Sequence, residues 1–315
     1  MRIMRFIDLF CGIGGFRSAL DKEGFKCVFS CDIDADAAAS YRANFGECAI
    51  CDIKTLPAEA VPPHDLICAG FPCQSFSLAG RGKTFGDPRG QLFRHIVRIA
   101  GHHRPRALIL ENVPGILFHK ADGAIKTIID AFRAIGYDVD YNVLDASKYG
   151  IPQARRRVYF VITRKDLSIA AVFPHPLPGK PPKVRDYLLH PSELNGDNGK
   201  LFIKGRRFIA VVPSKDDTKP VKVGYIEDDW QGRRVYSIDA PGTTILANNH
   251  TLDRNGGLYM VDGAVRRLHI TEAKRLMGFD DGHIVSKGNK GFKELGNAVI
   301  PAMVTHVFRS MRNMQ

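Results

Sequence analysis

The sequence predicts an α/β protein with a large, doubly wound domain on a mostly parallel sheet and a smaller, irregular, β-rich domain. Three observations carry that reading. Apolar runs of strand length alternate with helical stretches as far as about residue 165, and parallel strands covered on both faces read as such continuous runs. Around Phe173-Pro174-His175-Pro176-Leu177-Pro178-Gly179-Lys180-Pro181-Pro182 the composition turns to proline and other breakers, which marks a linker. A length of 315 residues with 44% hydrophobic content is enough to bury a sizeable core in one large domain and a lesser one in the second.

The first element, Arg5-Phe6-Ile7-Asp8-Leu9-Phe10, reads as a buried strand running into Cys11-Gly12-Ile13-Gly14-Gly15-Phe16. Strand, glycine turn, helix is an order that lets backbone approach a ligand, with the N–H groups of the next helix facing it. The spacing is neither the Gly-x-Gly-x-x-Gly of a dinucleotide site nor a phosphate loop, which would need a following Lys-Ser or Lys-Thr. A second run, Cys27-Val28-Phe29-Ser30, ends at Cys31-Asp32-Ile33-Asp34, and Asp52 follows in Cys51-Asp52-Ile53. Carboxylates at such strand ends bind ribose hydroxyls, and serve equally well as helix N-caps. The run Leu66-Ile67-Cys68-Ala69 opens into Gly70-Phe71-Pro72-Cys73-Gln74-Ser75-Phe76-Ser77. A thiol at a strand end, held by proline before a glycine-dotted loop, is sited for nucleophilic attack; taken alone, Cys73 reads as readily as one more small buried hydrophobe. Then Arg106-Ala107-Leu108-Ile109-Leu110 delivers Glu111-Asn112-Val113-Pro114 to the same sheet edge, with Glu111 as an acid–base candidate or a cap.

Beyond the linker, residues 183 to about 289 hold short β-type runs such as Phe208-Ile209-Ala210-Val211-Val212 and clustered charge at Lys204-Gly205-Arg206-Arg207; helical pattern returns at Thr305-His306-Val307-Phe308. The formal charge of +12, from 45 Lys+Arg against 33 Asp+Glu, suits an anionic partner. Residues 81 to 106 carry seven basic side chains against one acid, Asp87, and the glycine-rich first part reads as a loop able to close over an anionic partner or simply as a solvated face. All seven cysteines lie between positions 11 and 73, an odd number that argues against a secreted disulfide scaffold. The spacing Cys27…Cys31 and Cys48…Cys51 invites a zinc reading, but these residues fall in or beside predicted strands rather than on knuckles, so no metal is expected. No apolar run has the length of a membrane span, which favours a soluble, cytoplasmic protein.

In their order along the chain these segments resemble the DNA cytosine-5 methyltransferases of bacterial restriction-modification systems. Phe6-Ile7-Asp8-Leu9-Phe10 with Gly12-x-Gly14-Gly15 is similar to the family's S-adenosylmethionine motif, Gly70 to Ser77 to its nucleophile motif, and Glu111-Asn112-Val113 to its third signature. Gln153-Ala154-Arg155-Arg156-Arg157 resembles the Gln-x-Arg-x-Arg motif, Arg267-Leu268 with Glu272 the next, and Gly296-Asn297-Ala298-Val299 the closing one. Departures are marginal. Asp32 stands where the family usually has glutamate, Ile270-Thr271 where it often has Pro-Arg, and Ala298 where serine is common.

The resemblance implies a Rossmann-like catalytic and cofactor-binding domain of residues 1–178 plus 290–315 and a target-recognition domain of 179–289. It implies Cys73, Glu111, Arg155 and Arg157 as catalytic residues, and S-adenosyl-L-methionine held by Phe10, Gly12, Gly14, Gly15, Asp32, Ile33, Asp52, Ile53, Pro72 and Asn297. Ser77, Arg81, Gln231, Arg234 and Thr244 would contact DNA, and the segment Gln231 to Ser237 looks most like that of enzymes that methylate the inner cytosine of GCGC. In that reading Gln231 fills the space of the flipped base and Arg234 bonds guanine O6 and N7; a surface glutamine and a phosphate contact are equally open. Double-stranded DNA is the implied partner of a monomer, with no membrane and with a restriction endonuclease paired in function without direct contact.

The chemistry explains the convergence of residue types. C5 of cytosine is too electron-poor to take a methyl group unaided, so a thiolate must first add to C6 while N3 is protonated or hydrogen-bonded and an arginine pair clamps the ring carbonyl and flanking phosphate. That attack comes from above the ring plane, which requires the base to leave the stack at a cost of a few kcal/mol. Two other readings stay open at this level, an RNA methyltransferase using the same chemistry and a non-catalytic DNA-binding relative.

Overall fold

The strands β1 (Arg5–Leu9), β2 (Lys26–Asp32), β3 (Ala49–Ile50), β4 (Leu66–Gly70), β5 (Ala107–Asn112), β6 (Tyr137–Asp145) and β7 (Arg156–Arg164) form a seven-stranded sheet ordered β3-β2-β1-β4-β5-β7-β6. These assignments come from a computed structural model, which describes residues 3–72, 92–117, 123–194, 201–247 and 257–314. Pairing is parallel from β3 through β5, and β7 runs antiparallel to β5. Helices α1 (Gly15–Lys22), α2 (Ala35–Phe45), α3 (Leu92–His103) and α4 (Ala124–Ala134) connect these strands. The apolar runs seen in the sequence are the sheet's core: Ile7, Leu9, Ile67, Ala69, Leu108 and Leu110 are fully buried.

Strand order decides where a ligand can sit. From β1 the chain works outward through β2 to β3, then returns to the other side of β1 as β4. The turn after β1 therefore lies at the point where the order reverses, the place at which open α/β sheets bind ligands beyond the carboxyl ends of their strands.

The chain divides into two compact units, the first made of Met1–Leu144, Arg156–His175 and Pro301–Gln315, the second of Asp145–Arg155 and Pro176–Ile300. In the first, helix α7 (Pro301–Ser310) packs against α1, so the sequence's last helix belongs with its first. The second holds a five-stranded sheet, β12-β11-β10-β9-β8, from β8 (Phe208–Ala210), β9 (Lys222–Ile226), β10 (Arg234–Ser237), β11 (Leu258–Val261) and β12 (Ala264–Arg267). Its core is small: Ile226, Val235, Leu258 and Val265. Helices α5 (Ile270–Leu276) and α6 (Asn289–Asn297) complete it. This division differs from the expected boundaries, since residues 145–155 and 290–300 fall with the second unit rather than the first. The reason is a polar clasp centred on Gln153 and Arg155. Among the described residues, no helix is long and apolar enough to cross a membrane.

Candidate active site

The turn after β1 holds three successive alternate residues in left-handed conformation: Phe10 at φ 53°, Gly12 at 54° and Gly14 at 87°. For Phe10, which carries a side chain, that costs roughly 1–2 kcal/mol, and retained strain of this kind accompanies functional turns. At Gly14 no other residue fits, because a Cβ there would lie 2.3 Å from the Phe45 ring. Above Gly12 the space is open, with nothing within 4 Å of where a Cβ would stand. The turn is tied to the end of β2: the Gly12 N–H donates to Asp32 Oδ2 at 2.8 Å, the Asp34 N–H to Asp32 Oδ1 at 2.9 Å, and the Cys11 N–H to the Cys31 carbonyl at 3.1 Å. Burial pushes the Asp32 carboxyl above the usual carboxylate range, opposed by the N–H donors from Asp34 and Gly12.

The Asp32 carboxylate thus takes backbone donors on both oxygens, from Gly12, Asp34 and Ile33, and keeps lone-pair capacity for a hydroxyl, since a carboxylate offers about four acceptor sites. Asp34 is the N-cap of α2, accepting from the Asp36 and Ala37 N–H groups. Asp52 organises the following turn, its Oδ1 accepting from the Lys54 N–H at 3.0 Å. Phe10 is half-buried, Ile53 buried and Ile33 65% exposed, so apolar surface flanks both carboxylates. Open cradle, carboxylates and apolar flanks together fit a nucleoside-bearing ligand.

The second cluster sits at the ends of β4 and β5. Register places Gly70 beside Glu111, so the segment Phe71-Pro72 leaves the sheet next to the glutamate. Asn112 fixes that exit: its Nδ2 donates to the Phe71 carbonyl at 3.0 Å while its Oδ1 accepts from the Val113 N–H at 2.8 Å. Pro72 is exposed, and Cys73, Ser77 and Arg81 lie outside the described residues. Antiparallel β7 pairs Tyr159 with Glu111, which brings the start of that strand to the edge where β5 ends. There Arg157 Nε meets Glu111 Oε1 at 3.0 Å, with both side chains no more than 15% exposed. A parallel β7 would have put this arginine at the opposite edge.

The second unit uses the neighbouring motif residues differently. Gln153 is fully buried, donating through Nε2 to the Leu276 carbonyl and accepting the Ile245 N–H, both at 3.2 Å. Arg155, expected to clamp substrate, is 2% exposed and gives its terminal nitrogens to the carbonyls of Ile245, Gly296 and Ala298 at 2.8–3.0 Å. Its charge is spent on backbone. The clasp grips both sides of Asn297, whose side chain is exposed at the end of α6, and a Cβ at Gly296 would stand 2.3 Å from the Leu246 backbone. Thr244 belongs to the same knot, its hydroxyl donating to the Ala154 carbonyl at 2.6 Å.

Gln231 is exposed and opens a short 3-10 turn, Gln231–Arg233, that leads into β10. Arg234 starts that strand and pairs with Asp229 at 2.9 Å; Lys222 pairs with Asp229 at 2.8 Å and Arg233 with Asp228 at 2.7 Å. The basic stretch up to Arg106 also divides. Arg94 is exposed, but Arg98 donates to the carbonyls of Ile53 and Leu56, and Arg104 to that of Ile135, so part of the apparent DNA-facing charge is structural.

Sequence reasoning passed over the burial of Asp8 and the contact between Cys11 and Cys48 beside the turn. Asp8 is fully buried one residue before the end of β1, and burial holds its carboxyl well above the usual range, favouring the neutral acid beneath the turn. An acid inside an otherwise apolar strand was the available signal.

A family model described as C-5 cytosine-specific DNA methylase matches residues 4–313. The Type II methyltransferase M.HhaI of Haemophilus parahaemolyticus is 35% identical over 308 residues, covering 96% of this chain and 93% of that relative. The Type II methyltransferase M.MspI of a Moraxella species is also 35% identical, over 96% of this chain and 69% of its own length. Among solved structures, the Entamoeba histolytica methyltransferase EhMeth aligns over 98% of both chains with a TM-score of 0.73 at 18% identity. The S. pombe Dnmt2 methyltransferase aligns over 97% of both with 0.68 at 22%. These two are likenesses of fold.

Proposed function

The chain belongs to the C-5 cytosine-specific DNA methylase family, and from that premise we propose that this DNA cytosine-5 methyltransferase works through a covalent bond from Cys73 to C6 of a cytosine flipped out of duplex DNA. The observation that carries the reading is the Glu111–Arg157 pair at the sheet edge where β4 runs out toward Cys73. Neither an RNA-directed enzyme nor a non-catalytic relative is favoured by a specific observation.

In the proposed mechanism Cys73 adds to C6, and Glu111 meets N3 as charge builds on the ring. Arg157 holds Glu111 in place and presents its remaining donors to the ring carbonyl. Asn112, by gripping the Phe71 carbonyl, sets where the thiol-bearing loop begins. Arg155 acts as a positioning residue, holding the Asn297 segment from behind. S-adenosyl-L-methionine, when bound, supplies the methyl group that C5 takes up. Its holders in this chain are Phe10, Gly12, Gly14, Gly15, Asp32, Ile33, Asp52, Ile53, Pro72 and Asn297, and Asp32 meets the ribose hydroxyls with the lone pairs its backbone donors leave. Loss of the C5 proton then expels Cys73.

Ser77, Arg81, Gln231, Arg234 and Thr244 are assigned to DNA, with Gln231 filling the vacated stack and Arg234 reading guanine. Thr244 acts by shaping the loop through its bond to Ala154 rather than by offering a free hydroxyl. The segment Gln231 to Ser237 supports GCGC as the recognition site. The enzyme is assigned to the bacterial cytoplasm as a monomer, serving a restriction-modification system whose endonuclease it need not touch. Bisulfite sequencing of DNA from cells expressing the chain tests this: 5-methylcytosine confined to the inner cytosine of GCGC is expected, and unmodified DNA would overturn the activity. Phe10→Ala or Asp52→Ala with unchanged cofactor affinity would overturn the cofactor's placement.

A further inference from the structure

Four thiols lie around the glycine turn, and they meet as two pairs, Cys11 with Cys48 and Cys31 with Cys51. Cys11 Sγ and Cys48 Sγ stand 3.4 Å apart, the first buried at the start of the turn, the second half-buried ahead of β3. We propose that Cys11 and Cys48 are an oxidisable thiol pair that closes to a disulfide on exposure to a hydroperoxide and thereby withdraws the turn from cofactor binding. The coupling rests on the reading of this turn as the cofactor site; the disulfide itself does not.

Their roles are unequal. Contact with Cys11 holds the Cys48 thiol below its ordinary range, aided by the nearby Arg42 guanidinium, whereas burial drives Cys11 far upward. A more acidic, partly accessible thiol beside a buried partner is the arrangement of a thiol that attacks and one that resolves. The Cys48 thiolate attacks the terminal oxygen of the hydroperoxide, the O–O bond breaks, and the alcohol (or water) leaves with Cys48 as a sulfenic acid. Cys11 sulfur then attacks Cys48 sulfur, and the displaced hydroxide takes the Cys11 proton to leave as water. Two thiols give up two electrons and two protons, and the peroxide accepts both.

The consequence for the turn follows from its bonding. A disulfide requires the sulfurs to close to about 2.05 Å. Cys11 cannot travel alone, because its N–H is bonded to the Cys31 carbonyl and its own carbonyl takes the Gly14 N–H at 2.8 Å. Drawing Cys11 toward Cys48 therefore moves Gly12, whose N–H holds Asp32. The Cys31 and Cys51 thiols, hydrogen-bonded to each other, lie within electrostatic reach of Cys48 and are the competing partners. Among the described residues, no three metal-ligating side chains converge.

The full-length protein, treated with stoichiometric hydrogen peroxide, alkylated, digested and mapped by mass spectrometry, decides the matter. The expected product is a Cys11–Cys48 linked peptide, with cofactor affinity by calorimetry weakened about tenfold, equivalent to one lost hydrogen bond, and restored by dithiothreitol. Cys48→Ser should bind cofactor normally and lose both the linkage and the oxidative effect. Linkage of other cysteines instead, or further oxidation of Cys48 with no linkage, would overturn the pair. A mapped Cys11–Cys48 disulfide with unchanged affinity would overturn the coupling; if Phe10→Ala in the reduced protein also leaves affinity unchanged, it is the cofactor's placement that has failed.

Discussion

The edge of the large sheet and the start of β10 in the smaller one both carry paired arginines, and they pair in opposite ways. Arg157 meets Glu111 where neither side chain is more than 15% exposed, whereas Arg234 and Asp229 meet with 40% and 43% of their side chains in water. A buried pair is costly to break because the survivor is left uncompensated; an exposed one is worth little and is readily exchanged for another anion. The first geometry is suited to holding an acid beside a reacting ring. The second leaves Arg234, the proposed base-reading arginine, on a partner that it can exchange for another anion. On this account the two regions should separate in mutants, the sheet edge governing rate and β10 governing sequence choice.

Four substitutions test that separation. Glu111→Gln should lower kcat by about 10²–10³ fold, the size seen when one transition-state donor is removed, with duplex affinity little changed. A loss seen mainly in binding would place Glu111 outside the chemistry. Arg155→Ala should act on stability instead, lowering it by about 3 kcal/mol because buried carbonyls lose a charged partner, as read by denaturant unfolding. If that variant were as stable as its parent but catalytically dead, Arg155 would have to be returned to substrate. For Arg234→Ala, kcat/KM at the preferred site should fall about tenfold to a hundredfold, with relaxed choice of the contacted base pair. Uniform weakening across sequences would make Arg234 a phosphate contact. The smallest effect is expected for Asp229→Ala, which should leave stability unchanged and alter mainly the salt dependence of DNA binding, measured by fluorescence of the single tryptophan, Trp230, beside Gln231.

The same contrast explains what could be read from the chain alone. Glu111 was visible because a fully buried run of apolar residues ends there, and a carboxylate at that end must meet water, a ligand or a charged partner. The turn after β1 was visible because strand, glycines and helix are adjacent in sequence. Arg155 and Arg157 were not separable, because alternation along a strand sorts side chains only inside it, and β7 begins at Arg156. Which of the two faced backbone carbonyls depended on residues 245, 296 and 298, some 90 or more positions away. The smaller domain's sheet was legible only as short β runs, since its pairings join strands whose hydrophobic patterns are too brief to fix register. The thiol contact between Cys11 and Cys48 was likewise hidden, since it depends on β2 carrying its own neighbours to β1.

A transient bond between Cys73 and the pyrimidine underlies the proposed chemistry, and duplex oligonucleotides with 5-fluorocytosine at the target position would trap it, because fluorine at C5 cannot leave as the proton does. Incubated with S-adenosylmethionine, the protein should form a denaturant-resistant one-to-one adduct whose crosslinked peptide contains Cys73, and Cys73→Ala should form none. Turnover of ordinary duplex DNA without any such adduct, or an adduct at another residue, would contradict the account.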